Sequence, residues 1–190
     1  MEELKEKIVK DGTAIGTEIV KVDSFLNHQI DVQFLDQLGK EFYNRFGKKE
    51  VTKILTVEAS GIAIACMTAK YFGNPPVVFA KKMAPNTMVE GFYESEVKSF
   101  TKGSISMIRV SKKYLNKGDK VLILDDFLAH GEAARGMADL VEQAGATVIG
   151  IGAVIEKQFQ GGAQKLKEKG YPVESLAIIE KIQDGIIQFA

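Results

Sequence analysis

Two adjacent carboxylates close an apolar run in the segment VLILDDFLAHGEA, residues 121–133. Four aliphatic side chains lead into Asp125 and Asp126, and a short loop with Gly131 follows before a helix-like pattern begins. Like charges side by side repel, so such a pair at the end of a buried strand calls for a cation or a hydroxyl-bearing ligand beside it. The start of a helix offers unpaired backbone N–H groups and the positive end of the helix dipole, a place suited to phosphate. Gly131 lets the backbone come close to such a group. Together these residues suit a sugar phosphate, its hydroxyls toward the acids and its phosphate in the loop. Taken alone, the same pattern also describes a solvated acidic turn before an ordinary capped helix. It is not a nucleotide-binding loop of the Walker type, which needs Lys and Ser or Thr after its glycines, nor a dinucleotide fingerprint with three spaced glycines.

The elements that must hold these residues can be read from periodicity. Residues 2–10 form a short charged helix, and FLDQLGKEFYNRF at 34–46 places Phe34, Leu35, Leu38, Phe42 and Phe46 at helical spacing. KILTVEA at 53–59 is a short strand, followed by an apolar helix from about Ser60 to Phe72 that Gly73 and the prolines at 75 and 76 stop, and then by strand PVVFA at 76–80. VLILDD at 121–126 suits a strand covered on both faces. In the helix after it, Ala133, Met137, Leu140, Val141 and Ala144 form a stripe, and Gly145 stands where a left-handed cap would close it. Strand 147–156, a helix near 162–169 and strand 174–179 complete the alternation. Strands alternating with helices predict an open, mostly parallel α/β sheet, whose ligands bind at the carboxyl ends of the strands.

The bulk properties narrow the partners. The 190 residues suit a single domain spanning 1–190, with no repeat or linker to divide it. Lys plus Arg and Asp plus Glu both number 25, so no global field draws the chain to nucleic acid or to an anionic membrane. The longest apolar runs fall short of the roughly 20 residues of a membrane span, and the charged start does not read as a secretory signal, so a cytoplasmic protein is expected. Cys66, the one cysteine, allows no intramolecular disulfide and reads as a small packed hydrophobe rather than a catalytic thiol.

The segment VLILDDFLAHGEA resembles the phosphoribosyl-diphosphate signature of the type I phosphoribosyltransferases. KVDSFLNHQID (21–31), TVEASGIA (56–63), VVFAKK (77–82), SFTK (99–102), QAGATVIGIGAVIEKQF (143–159) and GYPVESLA (170–177) extend the resemblance over nearly the full length, to the xanthine-specific branch of that family in Gram-positive bacteria. The SFLNHQID block carries the subfamily, since the signature itself is common to many transferases. The resemblance implies the type I fold with a small N-terminal base-binding hood. It also implies transfer of a phosphoribosyl group from 5-phosphoribosyl 1-diphosphate to xanthine, with Mg2+ carried by the diphosphate, no organic cofactor and a homodimer. Alternatives are an adenine or hypoxanthine-guanine transferase, or a non-catalytic sensor of phosphoribosyl diphosphate. Such sensors carry an added N-terminal DNA-binding domain, whereas about twenty residues precede the base-binding block here.

Residue by residue, the resemblance implies that Asp125 and Asp126 accept the ribose hydroxyls and stabilise positive charge that develops on the sugar. Adjacent strand residues point opposite ways, so one of the two is expected to make the direct contact. Ala129, His130, Gly131, Glu132 and Ala133 would hold the 5′-phosphate. Ser60, Gly61, Lys81 and Lys82 would meet the diphosphate, and Val20, Asn27 and Lys157 the base. An ammonium at Lys157 donates to a purine oxo group and disfavours the amino group of adenine. His130 stands where the xanthine-type enzymes have Asn, and its protonation would make phosphate binding pH-dependent. Ala133 replaces a hydroxyl residue common in the family, and Val20 replaces Leu. Phe159 is a candidate for stacking and His28 reads as structural. Residues 83–104 fall where the family has a loop or hairpin over the site.

Overall fold

The computed structural model describes residues 1–47, 49–82, 91–99 and 104–190. The central sheet has six strands: β3 (Lys53–Val57), β4 (Val77–Ala80), β7 (Lys120–Leu128), β8 (Thr147–Lys157), β9 (Val173–Gln183) and β10 (Ile186–Phe189), in the order β10-β9-β8-β7-β3-β4. All neighbours pair in parallel except β10, which folds back on β9. From β3 the chain steps outward to β4, whereas from β7 it steps the other way through β8 and β9. The direction therefore reverses between β3 and β7, and a crevice opens there at the strand ends.

Helices cover both faces. On one lie α1 (Glu2–Asp11), α2 (Val32–Phe46) and α3 (Gly61–Ala69), whose buried residues join Ile54 of β3 and Leu122 and Leu124 of β7 in one apolar cluster. On the other lie α4 (Glu132–Gln143) and α5 (Gly162–Glu168), packed on Leu55, Val121 and Ile123 in a second cluster. Two-sided coverage explains why Val121 through Leu124 are all fully buried with no polar alternation. Burying each such side chain is worth about 1.5–3 kcal/mol.

Helix ends follow their local chemistry. The Asp31 side chain accepts from the backbone N–H of Phe34 at 3.0 Å and caps α2. Gly73 takes a left-handed φ of 83° after the 3-10 turn that extends α3, and Gly145 (φ 69°) follows α4 as expected.

Two small hairpins complete the chain. β1 (Thr13–Ile15) pairs with β2 (Ile19–Lys21), and a π-turn over Asp23–Asn27 leads from it to α2, forming the N-terminal hood. β5 (Phe92–Ser99) and β6 (Ser104–Ser111) form the second hairpin. It rests on α4 at Gly136, where an added Cβ would lie 2.8 Å from Val97 Cγ2. Residues 83–90 and 100–103 of the segment expected over the site lie outside the described residues. No helix among the described residues is long and apolar enough to cross a membrane.

Two expectations are corrected. Cys66 is exposed rather than packed. α3 is apolar around most of its circumference, so its sequence does not reveal which side meets the sheet, and Ile64, Ala65, Thr68 and Ala69 take the inner face instead. In the stripe of α4, Met137, Leu140, Val141 and Ala144 are buried as expected, joined by Ala134 and Ala138, whereas Ala133 is only half-buried at the cavity edge.

Candidate active site

A cavity of about 430 Å³ occupies the crevice between β3 and β7, and most of the expected site residues stand on its wall. β7 delivers Asp125 and Asp126 from one side, and both border the cavity despite being neighbours on a strand. The strand is bending into its loop here: the backbone N–H of Asp126 donates to Asp125 Oδ1 at 3.0 Å, and that of Phe127 to Asp126 Oδ1 at 2.9 Å. Burial of the Asp125 carboxyl, and next the adjacent Asp126 carboxylate, hold its pKa well above the usual carboxylate range. Without a compensating cation or hydroxyl donor this group resists ionisation.

The loop between β7 and α4 follows. Ala129, His130, Gly131, Glu132 and Ala133 all border the cavity. Gly131 precedes α4 with φ 83°, a left-handed conformation that turns the chain into the helix. The loop is backed by α5, since the N–H of Gly162 donates to the Ala129 carbonyl at 3.0 Å. A Cβ on Gly162 would come within 2.3 Å of that carbonyl oxygen and 2.5 Å of the Gly131 nitrogen. Glu132 pairs with Arg135 at 3.1 Å, and Arg135 also donates to the Glu96 carbonyl at 3.0 Å, linking the loop to the hairpin.

Across the crevice, the turn between β3 and α3 supplies Glu58, Ala59 and Ser60. Gly61 lies just behind the wall, where a Cβ would meet Thr56 Oγ1 at 1.9 Å, so only glycine fits. Lys82 reaches the cavity, and its backbone N–H donates to Glu58 Oε1 at 2.7 Å. Lys81 is not on the wall. Its backbone exchanges two hydrogen bonds of 2.9 Å with Arg109, and its Nζ sits 5.7 Å from the centre of the Phe79 ring.

Toward the hood, Lys157 ends β8 on the cavity wall, donating to the Glu18 carbonyl at 2.6 Å and lying 5.4 Å from the centre of the Phe127 ring. Burial lowers its pKa from the ordinary lysine value, with Glu18 opposing. Asn27 stands outside the wall but donates from Nδ2 to Asp126 Oδ2 at 3.0 Å, joining hood to strand end. Val20 points into the core at 6% exposure, and its neighbours Glu18 and Ile19 border the cavity. Within β2 side chains alternate, so Ile19 faces the cavity and Val20 the core, while Glu18 reaches the wall from the turn before the strand. Phe159 is exposed and is not on the wall.

The sequence reading did not single out Glu18, Ile19, Glu58 or Gln160, all on the wall, whereas Val97 and Lys98, also on it, fall in the 83–104 segment expected over the site. Their residue types are ordinary in turns and hairpins, and the contacts that bring them in are long-range. The Lys157–Glu18 bond alone spans 139 residues.

A doubly covered, mostly parallel sheet with paired acids and a glycine-turned loop into a helix at its switch point defines the class. A model of the phosphoribosyl transferase domain matches residues 21–190, and the chain belongs to that family. Among its relatives, the chain is 58% identical to the xanthine phosphoribosyltransferase of Clostridium novyi (strain NT), over 189 residues covering 100% of this chain and 99% of that protein. It is 53% identical to the xanthine phosphoribosyltransferase of Clostridioides difficile (strain 630), over 189 residues and 100% of both chains. The crystal structure of adenine phosphoribosyltransferase from Rhodothermus marinus DSM 4252 shares the fold at a TM-score of 0.76, covering 94% of this chain and 100% of that one; at 22% identity the likeness concerns the fold alone.

Proposed function

We propose that the protein transfers the 5-phosphoribosyl group of 5-phosphoribosyl 1-diphosphate to xanthine, giving xanthosine 5′-monophosphate and diphosphate in purine salvage. The observation that carries this reading is one cavity bordered by Asp125, Asp126, the loop from Ala129 to Ala133 and Lys157, in a chain similar over its whole length to proteins named for that activity.

A base nitrogen attacks the anomeric carbon, the bond to the diphosphate breaks, and the diphosphate leaves with the bonding electrons. The transition state carries positive charge on the ribose and added negative charge on the leaving group, so positioning and electrostatics supply the rate. Asp125 and Asp126 accept the ribose hydroxyls and stabilise the positive sugar. The N-terminus of α4 and its loop hold the 5′-phosphate. Ser60, with Gly61 shaping its turn, and Lys82 face the diphosphate, which brings Mg2+ as part of the substrate. Lys157 donates to an oxo group of the base, Asn27 orients Asp126 at the border of the base site, and Val20 supports the hood from its core side. The protein works as a cytoplasmic homodimer on small-molecule substrates.

The test is product formation from 5-phosphoribosyl 1-diphosphate and Mg2+ with xanthine, guanine, hypoxanthine and adenine side by side, with the Asp125→Asn/Asp126→Asn double variant as control. Xanthine preference, lost in the control, is expected. Preference for adenine would overturn the base assignment, and phosphoribosyl-diphosphate binding without turnover would make the protein a sensor. Sedimentation at micromolar concentration is expected to give a dimer; a monomer alone would refute that part.

A further inference from the structure

Three buried side-chain oxygens among the described residues lack a hydrogen-bond partner: Thr56 Oγ1, Gln160 Oε1 and Ser175 Oγ. Of these residues only Gln160 belongs to the cavity wall. A buried carbonyl oxygen without a donor is destabilising, and native structures leave few of them. Its backbone is not free to drift to a better place. Gln160 closes the 3-10 turn Gln158–Gln160 that leaves β8, the N–H of Gly161 donates to the Gln158 carbonyl at 3.0 Å, and the next residue, Gly162, is bonded to Ala129 of the phosphate loop at 3.0 Å. The side chain is thus pinned between the Lys157 end of β8 and the phosphate loop, where a base joined to the sugar must lie.

Lys157, which ends β8, and Gln160, which closes the turn after it, both border the cavity and so share one wall. Their chemistry is complementary: an ammonium only donates, and a carboxamide oxygen only accepts. A donor beside an acceptor fits an edge that presents an acceptor beside a donor. The lactam edge of an oxopurine, a carbonyl next to a ring N–H, is such an edge. The corresponding edge of a 6-aminopurine is reversed, an amino donor next to an unprotonated nitrogen, so it offers no acceptor to Lys157 and no donor to the Gln160 oxygen.

We propose that Gln160 is a specificity residue whose carboxamide oxygen accepts from the ring N–H beside the oxo group that Lys157 faces. The terminal torsion of a glutamine is soft, so a small rotation carries the oxygen from its unpartnered position to the base. This rests on the oxopurine reading above and extends it to a residue that reads a second atom of the same edge.

Hypoxanthine and adenine differ only along this edge, so the measurement is the ratio of their kcat/KM values, with adenine measured as a competitive inhibitor where its turnover is too slow, in wild type and in Gln160→Leu. Loss of one neutral hydrogen bond should lower the ratio roughly 3- to 10-fold. The KM for phosphoribosyl diphosphate should stay within about twofold and the melting temperature should not fall, because the variant removes an unsatisfied oxygen. Gln160→Met serves the same purpose if the Leu variant folds poorly. An unchanged ratio, or a phosphoribosyl-diphosphate KM that rises in parallel, overturns the assignment of Gln160 alone. A wild-type protein that prefers adenine refutes the oxopurine reading itself.

Discussion

At the scale of single residues, the site is held against its own electrostatics. The raised pKa of Asp125 means that the folded chain keeps a proton which the unfolded chain has released, from about pH 4 upward. Stability then falls as pH rises through that window and levels off once the folded carboxyl has ionised. Asp125→Asn removes the charge while keeping an acceptor for the backbone N–H of Asp126. Without substrate, the variant should melt above wild type at neutral pH, and the gap should close as pH falls toward about 4. Turnover of the same variant should drop by about a hundredfold or more, since it loses charge stabilisation in the transition state. Calorimetry across pH together with initial rates checks both; a variant less stable than wild type at neutral pH would contradict the account. Asp125 and Asp126 stood out in the sequence because two acids end an apolar run, although the bare pattern also describes a solvated turn, and the structure puts both on the cavity wall. Glu18 and Gln160 did not stand out, because a polar residue in a short turn is unremarkable until the fold shows what it faces.

At the scale of elements, the loop from Ala129 to Ala133, proposed to hold the phosphate, depends on a helix that is not on the cavity wall. α5 presents Gly162 to the loop backbone so closely that a methyl group would overlap Ala129 O, Gly131 N and His130 C at 2.3, 2.5 and 2.7 Å. Backbone atoms cannot yield as the far end of a side chain can. Gly162→Ala should therefore destabilise the protein by about 1–3 kcal/mol and raise the KM for phosphoribosyl diphosphate several-fold, while the KM for the base changes less. Equal shifts in both constants would point to general damage instead. The sequence placed a helix near this position, yet the closeness of its first glycine to a loop some thirty residues earlier has no periodic signature. The same limit applied to α3, whose uniform apolarity hid the exposure of Cys66. It applied as well to β1 and β2, whose three residues each are too short to show alternation. Long strands and amphipathic helices such as β7 and α2 were readable because each carried its own pattern.

At the scale of the molecule, the two apolar clusters share the same strands. β3 sends Ile54 to one face and Leu55 to the other, and β7 divides Leu122 and Leu124 from Val121 and Ile123 in the same way. Neither face can lose its helices without exposing strands that the other face needs. The hood is tied in as well, through Asn27 to Asp126, Lys157 to Glu18, and the N-terminal ammonium to the Leu176 carbonyl at 2.6 Å. The chain should accordingly unfold in one cooperative transition. With no Trp and five Tyr in the sequence, near-ultraviolet tyrosine dichroism and far-ultraviolet dichroism are the two probes, and their midpoints should coincide. For a homodimer that midpoint should rise with protein concentration. Saturating phosphoribosyl diphosphate with Mg2+ should move the whole transition upward, by about 2.7 kcal/mol at a hundred times its Kd. An early tyrosine phase would mean that the packing around Tyr43, Tyr71, Tyr93, Tyr114 and Tyr171 loosens before the helices and strands melt, and the two clusters would then not unfold as one unit.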